Sequence, residues 1–408
     1  SAPVYISSKC QNSMQVRTYK FRLYPSRQQE MILLQHLELS RQIWNSLLEK
    51  SKRKYEEEGR FHSKSELQQM VKGSVLFSQT AQAVCHRLHA AIRAKIRAKQ
   101  QGRKCGFPRF KPKDGAKSLY YPQFGFSLEK KLKITPFGEI AIKKHREISG
   151  KTKTLTIKRE SSGKWFAIFC VENDAAPTKM NCGSKVGIDL GLKNFAALSD
   201  GRLIENPRHL KKREEKLSLL QRRLSRKKKG GRNRQKAKLK VARAYENVAN
   251  ARHDFLHKTA NSLLSSYSFI ALEELLVREM AQRNFGKWIN DAAWRKFSHI
   301  LAYKAESAGC RVVFVDPRGT TQECSSCGEV VPKTLRDRMH ACPACGIVLD
   351  RDLNASINIL NRATAGIAES NACGDGAKEA LSLKQEADAF TDCPAFHFRI
   401  TGYGKVHY

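Results

Sequence analysis

Lys185-Val186-Gly187-Ile188-Asp189-Leu190-Gly191 is an apolar strand with a carboxylate set into it and a glycine two residues away on either side. A charged group in a buried strand is costly unless something compensates it. The two glycines allow another backbone to come close. Two further acids lie in comparable settings. Glu273 closes the apolar run Phe269-Ile270-Ala271-Leu272-Glu273, and Asp352 stands at the start of a helix in Asp350-Arg351-Asp352-Leu353-Asn354-Ala355. Each acid alone is a weak signal, since Asp350 or Asp352 equally suits a helix N-cap. The order of strand with hairpin, second strand, then helix-borne acid is far more specific. It predicts an α/β domain whose carboxylates converge on two divalent cations. Oxygen ligands favour Mg²⁺, and a paired-ion site of this kind hydrolyses phosphodiesters in line.

The charge of the chain fits that substrate class. Its 408 residues carry 75 Lys/Arg against 38 Asp/Glu, a net +37. Residues 361–408 hold five basic and six acidic groups, so the surplus lies in the first 360. A field of that sign draws polyanions and makes binding salt-dependent. A nonspecific basic RNA binder would share the charge but has no need of the three acids. No apolar run reaches the ~18–20 residues that span a bilayer. Twelve cysteines are present, only four of them clustered. The scatter of Cys10, Cys85, Cys105, Cys170, Cys182, Cys310, Cys373 and Cys393 gives no disulfide framework and suits a reducing cytoplasm. The chain opens Ser1-Ala2-Pro3, and residues 1–13 are expected to be a flexible N-terminus outside the fold.

Working outward, residues 15–24 alternate as a strand, with Tyr19, Phe21 and Leu23 on one side. Ser26 and Gln29 then give a capping-box signature for a long helix. Residues 26–104 read as a helical bundle, basic on one side of its last helix. After Lys104 the period falls to two, with strands near 118–122, 132–143, 152–159 and 164–172. Segments 14–25 and 105–180 therefore predict one small β-barrel with the bundle inserted after its first strand. Gly106-Phe107-Pro108-Arg109-Phe110-Lys111 marks the return, and its alternation of aromatic and basic groups makes Phe107, Arg109 and Lys111 candidates for base stacking and phosphate contact, with packing of the two Phe in a core as the equal alternative. Residues 181–320 and 347–363 make the α/β domain, interrupted at 206–266 by a very basic helical insertion that Gly230-Gly231 splits into a hairpin. Arg222, Arg226, Lys227 and Lys228 are its candidate nucleic-acid contacts. The remainder, 364–408, reads as a flexible tail.

Cys324-x-x-Cys327, fourteen residues, then Cys342-x-x-Cys345 predicts a zinc ribbon over 321–346. Four thiolates leave no open position, so this Zn²⁺ is structural. Arg338 between the pairs is a candidate nucleic-acid contact. His253 and His257 lie four apart on a helix but lack the Glu of a zinc-protease motif. They read better as packing or phosphate contacts.

Together these segments resemble one family. Tyr19-Lys20-Phe21-Arg22-Leu23-Tyr24-Pro25, Gly106-Phe107-Pro108-Arg109-Phe110, Gly187-Ile188-Asp189-Leu190-Gly191, Arg252-His253-Asp254-Phe255-Leu256-His257-Lys258, the two cysteine pairs, and Asp350-Arg351-Asp352 with Asn354-Ala355 are similar to TnpB. That family is the insertion-sequence-encoded relative of compact type V CRISPR effectors, and the resemblance runs over about residues 15–363. It implies an RNase H-like RuvC nuclease domain behind a wedge-like barrel and a helical recognition lobe. Asp189, Glu273 and Asp352 fall on the family's catalytic triad. It further implies RNA-guided, Mg²⁺-dependent DNA cleavage next to a short adjacent motif, with a guide RNA from the transposon end and double-stranded target DNA as partners. Tyr19, Arg252, His253 and Lys258 join the expected nucleic-acid contacts. A single chain binding one RNA is the default expectation, and a cytoplasmic, nucleoid-associated location is expected. An RNA-guided repressor with a weakened nuclease is the alternative, which the three intact acids disfavour.

Overall fold

A computed structural model describes residues 5–6, 15–173, 182–275, 286–334 and 337–372. Strand β1 (Tyr5–Ile6) adds to a sheet completed far downstream, contrary to the expectation that residues 1–13 stand outside the fold. Strand β2 (Gln15–Tyr24) opens a different sheet. Its alternation buries Tyr19, Phe21 and Leu23 and leaves Lys20 and Tyr24 exposed.

Helix α1 (Arg27–Glu58) follows at once. Ser26 Oγ accepts from Gln29 N at 3.2 Å and Gln29 Oε1 accepts from Ser26 N at 3.0 Å, which closes the capping box. The same Gln29 donates to the carbonyls of Phe137 and Glu139, tying the helix start to the β-sheet. Helices α2 (Lys64–Gln69) and α3 (Ser78–Gln100) pack on α1 around Trp44, Leu47, Leu67, Val84 and Leu88. The chain then returns to the sheet as β3 (Ser118–Tyr121), β4 (Phe126–Leu128), β5 (Leu132–Ile134), β6 (Gly138–Lys143), β7 (Lys151–Arg159) and β8 (Trp165–Asn173). The seven strands run antiparallel in the order β3-β7-β8-β2-β6-β5-β4. The two end strands are neighbours in sequence, so the sheet curls nearly closed. The single strand expected over 132–143 is in fact two. Pro136 has no N–H for a ladder, and Gly138 takes φ 72°, so the chain turns between them.

The second sheet carries the acids. Its strands are β9 (Ser184–Leu190), β10 (Asn194–Leu198), β11 (Leu203–Glu205), β12 (Tyr267–Glu273) and β13 (Arg311–Val315), in the order β1-β13-β12-β9-β10-β11. Strands β9, β10 and β11 run antiparallel in succession, while β12 and β13 lie parallel to β9. Between β11 and β12 come α4 (Glu214–Ser225) and α5 (Arg232–Ser266). Between β12 and β13 come α6 (Gly286–Ala292) and α7 (Trp294–Ala308). A short ribbon, β14 (Met339–Ala341) with β15 (Val348–Asp350), leads into α8 (Arg351–Ala372). This last helix continues nine residues past the expected end at 363. The rest of the expected tail, with Cys373-Gly374-Asp375, lies outside the described residues.

Strand alternation assigns the two faces. Val186, Ile188 and Leu190 of β9 and Ile270 and Leu272 of β12 point into a core shared with Leu256, Ala260 and Leu263 of α5 and Phe297 and Leu301 of α7. Phe269, Ala271, Val313 and Val315 face the other way, against Ile359 and Ala363 of α8. A fully buried Leu or Ile contributes ~1.5–3 kcal/mol. A one-residue slip of β9 would turn Val186, Ile188 and Leu190 toward the α8 backbone, where only Gly187 fits, and drive Asp189 into the core, so the register is firmly set.

Candidate active site

Asp189 shares the α8-facing side of β9 with Gly187. In the parallel register Ala271 stands opposite Gly187 and Leu272 opposite Ile188. Glu273 is therefore the next residue along, level with Asp189 and on the same face. Glu274 points away: it is exposed, and its N–H bonds the Val315 carbonyl at 2.9 Å. The third acid arrives by helix packing. A Cβ on Gly187 would lie 2.0 Å from the Ser356 carbonyl oxygen and 2.8 Å from Leu360 N, so α8 crosses β9 in backbone contact. Asp352 is one turn before Ser356, and Asp189 is two residues past Gly187. That crossing brings the start of α8 over the two strand carboxylates.

The N-cap of α8 is Asp350. Its Oδ1 accepts from Asp352 N at 2.9 Å and Leu353 N at 3.4 Å. Asp352 is thus released from capping. Its Oδ1 instead accepts from Arg351 Nη2 at 3.2 Å. Glu273 is 9 % exposed, and its Oε1 accepts from Thr320 Oγ1 at 2.5 Å.

The electrostatics record the crowding. Burial first, then Glu273 and Asp352, push the Asp189 carboxyl well above the usual carboxylate range, against the pull of Arg351. Burial also raises Glu273, while the Thr320 hydroxyl and Arg362 oppose it. Like charges held together in this way are relieved by a bound cation, and an all-oxygen donor set suits a hard one. Among the described residues, only the four cysteines bring three or more His, Cys, Asp or Glu ligand atoms within 4.8 Å of one another. The acids are spread more widely than a single-ion cage.

The cysteines fit a tetrahedral metal. Cys324 Sγ lies 3.6 Å from Cys345 Sγ, and Cys327 Sγ 3.5 Å from Cys342 Sγ. Four bonds of ~2.3 Å at tetrahedral angles require ~3.8 Å. Gly328 and Gly346, at φ 81° and 73°, turn each knuckle, and their N–H groups bond back to Cys324 and Cys342. Burial opposes ionisation of Cys324, but the backbone N–H groups of Cys327 and Ser326, with His340 and Cys345, bring its thiol down to about 5. His340 is fully buried beside Lys333, which its Nδ1 contacts.

The expected nucleic-acid contacts divide. Arg222, Arg226, Lys227 and Lys228 are exposed around the turn from α4 to α5, and Arg109 and Arg338 are exposed as well. His253 is exposed with its Nε2 3.0 Å from His257 Nε2, and Lys258 pairs with Asp254 at 2.9 Å. Three of the expected residues are engaged within the protein itself. Tyr19, 7 % exposed, belongs to the barrel core, as its place in the alternation of β2 already required. Arg252 is half-buried and bound to Asp291 at 2.5 Å, a partner 39 residues away that no local pattern reveals. Phe107 packs edge-on against Tyr55 and Phe61 under the Lys95 ammonium. In the same return segment Phe110 is the exposed ring, while Lys111 is pinned to α1 through its backbone by Asn45. On the outer face of the curled sheet, Lys20, Arg22 and Tyr24 of the first quoted motif join Phe166 in a cation–aromatic stripe.

The OrfB_IS605 profile, described as a probable transposase, matches residues 168–284, and a Cas12f1-like TNB domain matches 294–359. A helix-turn-helix profile matches 14–60, although that stretch forms one strand and one 32-residue helix here. A putative RNA-guided DNA endonuclease of Streptomyces pristinaespiralis is 38% identical over 226 residues, 55% of this chain and 55% of its own length. The chain thus spans about half of that relative. The putative RNA-guided DNA endonuclease InsQ of Escherichia coli (strain K12) is 30% identical over 304 residues, 70% of this chain and 74% of its own. The fold is shared with a Cas12f1–sgRNA–target DNA complex solved by cryo-EM, at TM-score 0.55 and 14% identity over 85% of this chain and 99% of that one. With InsQ matched at that identity over three quarters of its length, the chain belongs to the TnpB family.

Proposed function

We propose that this chain is an RNA-guided DNA endonuclease whose second sheet, with α8, is an RNase H-like RuvC domain. The observation that carries the reading is the convergence of Asp189, Glu273 and Asp352 on one face, two by parallel register and one by the Gly187 crossing. The strand order, with three antiparallel strands flanked by two parallel ones, supports the domain assignment. The names of the relatives support the guided chemistry. The barrel and helices α1–α3 act as wedge and recognition lobe, and the Cys324, Cys327, Cys342 and Cys345 ribbon holds a structural Zn²⁺.

Asp189, Glu273 and Asp352 would hold two Mg²⁺ ions. Such a pair, when bound, lowers the pKa of the attacking water and stabilises the leaving oxygen. The protein's own part is to keep the three carboxylates in place. Register fixes two of them, capping by Asp350 frees the third, and Arg351 steadies it. The spread of the acids suits a pair of ions ~3.5–4 Å apart better than one. Exposed Arg226, Lys227 and Lys228 neutralise backbone phosphates, and sequence is read by guide pairing.

The test is expression beside the flanking locus, a high-salt wash and sequencing of the retained RNA, followed by cleavage of the matching duplex. Asp189→Ala should abolish cutting and retain the RNA. Loss of both, or retention of a heterogeneous RNA smear, would refute the reading. The probable-transposase description favours a second reading, DNA strand transfer, which yields joined products where hydrolysis leaves cut ends.

A further inference from the structure

Loop 316–323 connects β13 to the first cysteine knuckle, and α8 holds it along one face. Arg362 donates to the carbonyls of Asp316 and Arg318 at 3.0 and 2.6 Å. One turn earlier, Asn358 donates to the Thr320 and Glu323 carbonyls at 2.9 and 2.7 Å. A further turn back, Asn354 donates to the Glu323 carbonyl at 2.8 Å and accepts from Ser325 N at 2.9 Å. These three residues, four apart, form a stripe beside the one that ends in Asp352. At the centre of the loop Thr320 is 1 % exposed. Its backbone is fixed to α8, and its hydroxyl meets Glu273.

The hydroxyl has one proton and two acceptors in range, Glu273 Oε1 at 2.5 Å and the Pro317 carbonyl at 3.2 Å. An O–H···O⁻ bond to an ionised carboxylate runs ~2.5–2.7 Å and is about twice as strong as a neutral one. The proton therefore points at Glu273. We propose that Thr320 is a positioning residue of the metal site: it commits one oxygen of Glu273, leaves the other for a cation, and ties that acid to the helix that bears Asp352. Ordinary packing of a buried Thr would not select a carboxylate from a different strand and carry its own main chain on the helix of a second one. The inference rests on the proposed metal role of the three acids.

The test compares Thr320→Val, which keeps the shape and removes the donor, with Thr320→Ser, which keeps the donor. The readout is Mn²⁺ affinity of the full chain with its bound RNA, without DNA, by electron paramagnetic resonance. Zinc content and melting temperature are measured on the same samples. Removing a partner of a metal ligand costs roughly 10–100-fold in affinity. Thr320→Val should weaken Mn²⁺ binding by about that factor, and Thr320→Ser should restore it to within about threefold of the parent, with zinc unchanged in both. Equal Mn²⁺ affinity in Thr320→Val and the parent would overturn the proposal. So would equal weakening in both variants, or a loss that tracks zinc content. Asp189→Ala is measured alongside: unchanged Mn²⁺ binding there would overturn the metal reading itself, whereas a loss there with a normal Thr320→Val overturns only the role of Thr320.

Discussion

Gly187→Ala is the sharpest perturbation of the assembly. The added methyl would sit 2.0 Å from the Ser356 carbonyl oxygen, 2.8 Å from Leu360 N and 2.9 Å from Leu360 Cβ. Two of these neighbours are backbone, so no rotamer change relieves them. Real contacts of this kind stay beyond 3.0 Å, so α8 has to recede by about 1 Å at that crossing. Asp352 lies one turn away on the same rigid helix and moves with it, while Asp189 and Glu273 stay on the sheet. Overpacking of a tight core costs ~1–3 kcal/mol. A displacement of ~1 Å in a catalytic constellation costs roughly 10²-fold in rate. The expected result is a folded, RNA-bound protein with a lower melting temperature and about a hundredfold slower cleavage at saturating Mg²⁺. Gly191→Ala is the matched control, because its methyl would meet only the Asn194 carbonyl oxygen, at 3.0 Å. Parental cleavage and melting in Gly187→Ala would refute the claim that backbone contact at Gly187 positions Asp352.

Asp189→Asn should stabilise the metal-free protein at neutral pH. Folding raises the Asp189 pKa above 3.8, so between that value and the raised one the native state holds the extra proton and stability falls as pH rises. Melting curves without divalent salt should show the variant's advantage at pH ~7 and its disappearance toward pH ~4; a variant less stable than the parent at neutral pH contradicts this. Cys324→Ser should remove zinc, measured by metal analysis, and lower the melting temperature, because the knuckle and α8 share the Asn354 and Asn358 bonds. Full zinc occupancy in that variant would exclude a four-cysteine site. Replacing Lys227 and Lys228 together by Ala should reduce the slope of log K against log salt for RNA binding by about 0.7–0.9 for each phosphate no longer neutralised. Tyr19→Ala should leave that slope unchanged and cost roughly 3–5 kcal/mol of stability; the reverse pattern would return Tyr19 to the binding surface.

Local chemistry is legible in the sequence wherever one short segment contains both partners. The Ser26–Gln29 capping box, the glycine knuckles after each cysteine pair and the alternation of β2 all close within a few residues. The same alternation places Tyr19 inside the barrel. An aromatic ring among basic residues suggests a binding surface, but the face it occupies overrides that suggestion. Arg252 cannot be read in that way. Its charge suggests phosphate, and its commitment to Asp291 depends on where α6 packs against α5. A single strand over 132–143 fails for a local reason, the Pro136–Gly138 turn, which hydrophobic alternation on either side conceals.

The acids show why some of the site is visible and some is not. A strand register links residues about 84 positions apart, yet each strand announces itself by its own apolar run, so the two strand-end acids are visible from pattern, while the choice of Glu273 over the adjacent Glu274 rests on the family resemblance until the strand face is seen. Asp352 is ambiguous with Asp350 until the cap is seen, because both satisfy the same spacing before the helix. Thr320 gives no signal. A lone Thr in a loop between a strand and a cysteine pair has no periodicity, no charge and no motif partner. Its meaning comes from two long-range contacts, to Glu273 through its hydroxyl and to Asn358 through its carbonyl. What stays hidden in the sequence is thus the bracing between the ligands. A triad transplanted without that bracing would keep its three carboxylates and lose their arrangement, since nothing in β9, β12 or the first turn of α8 alone dictates which oxygen of Glu273 stays free.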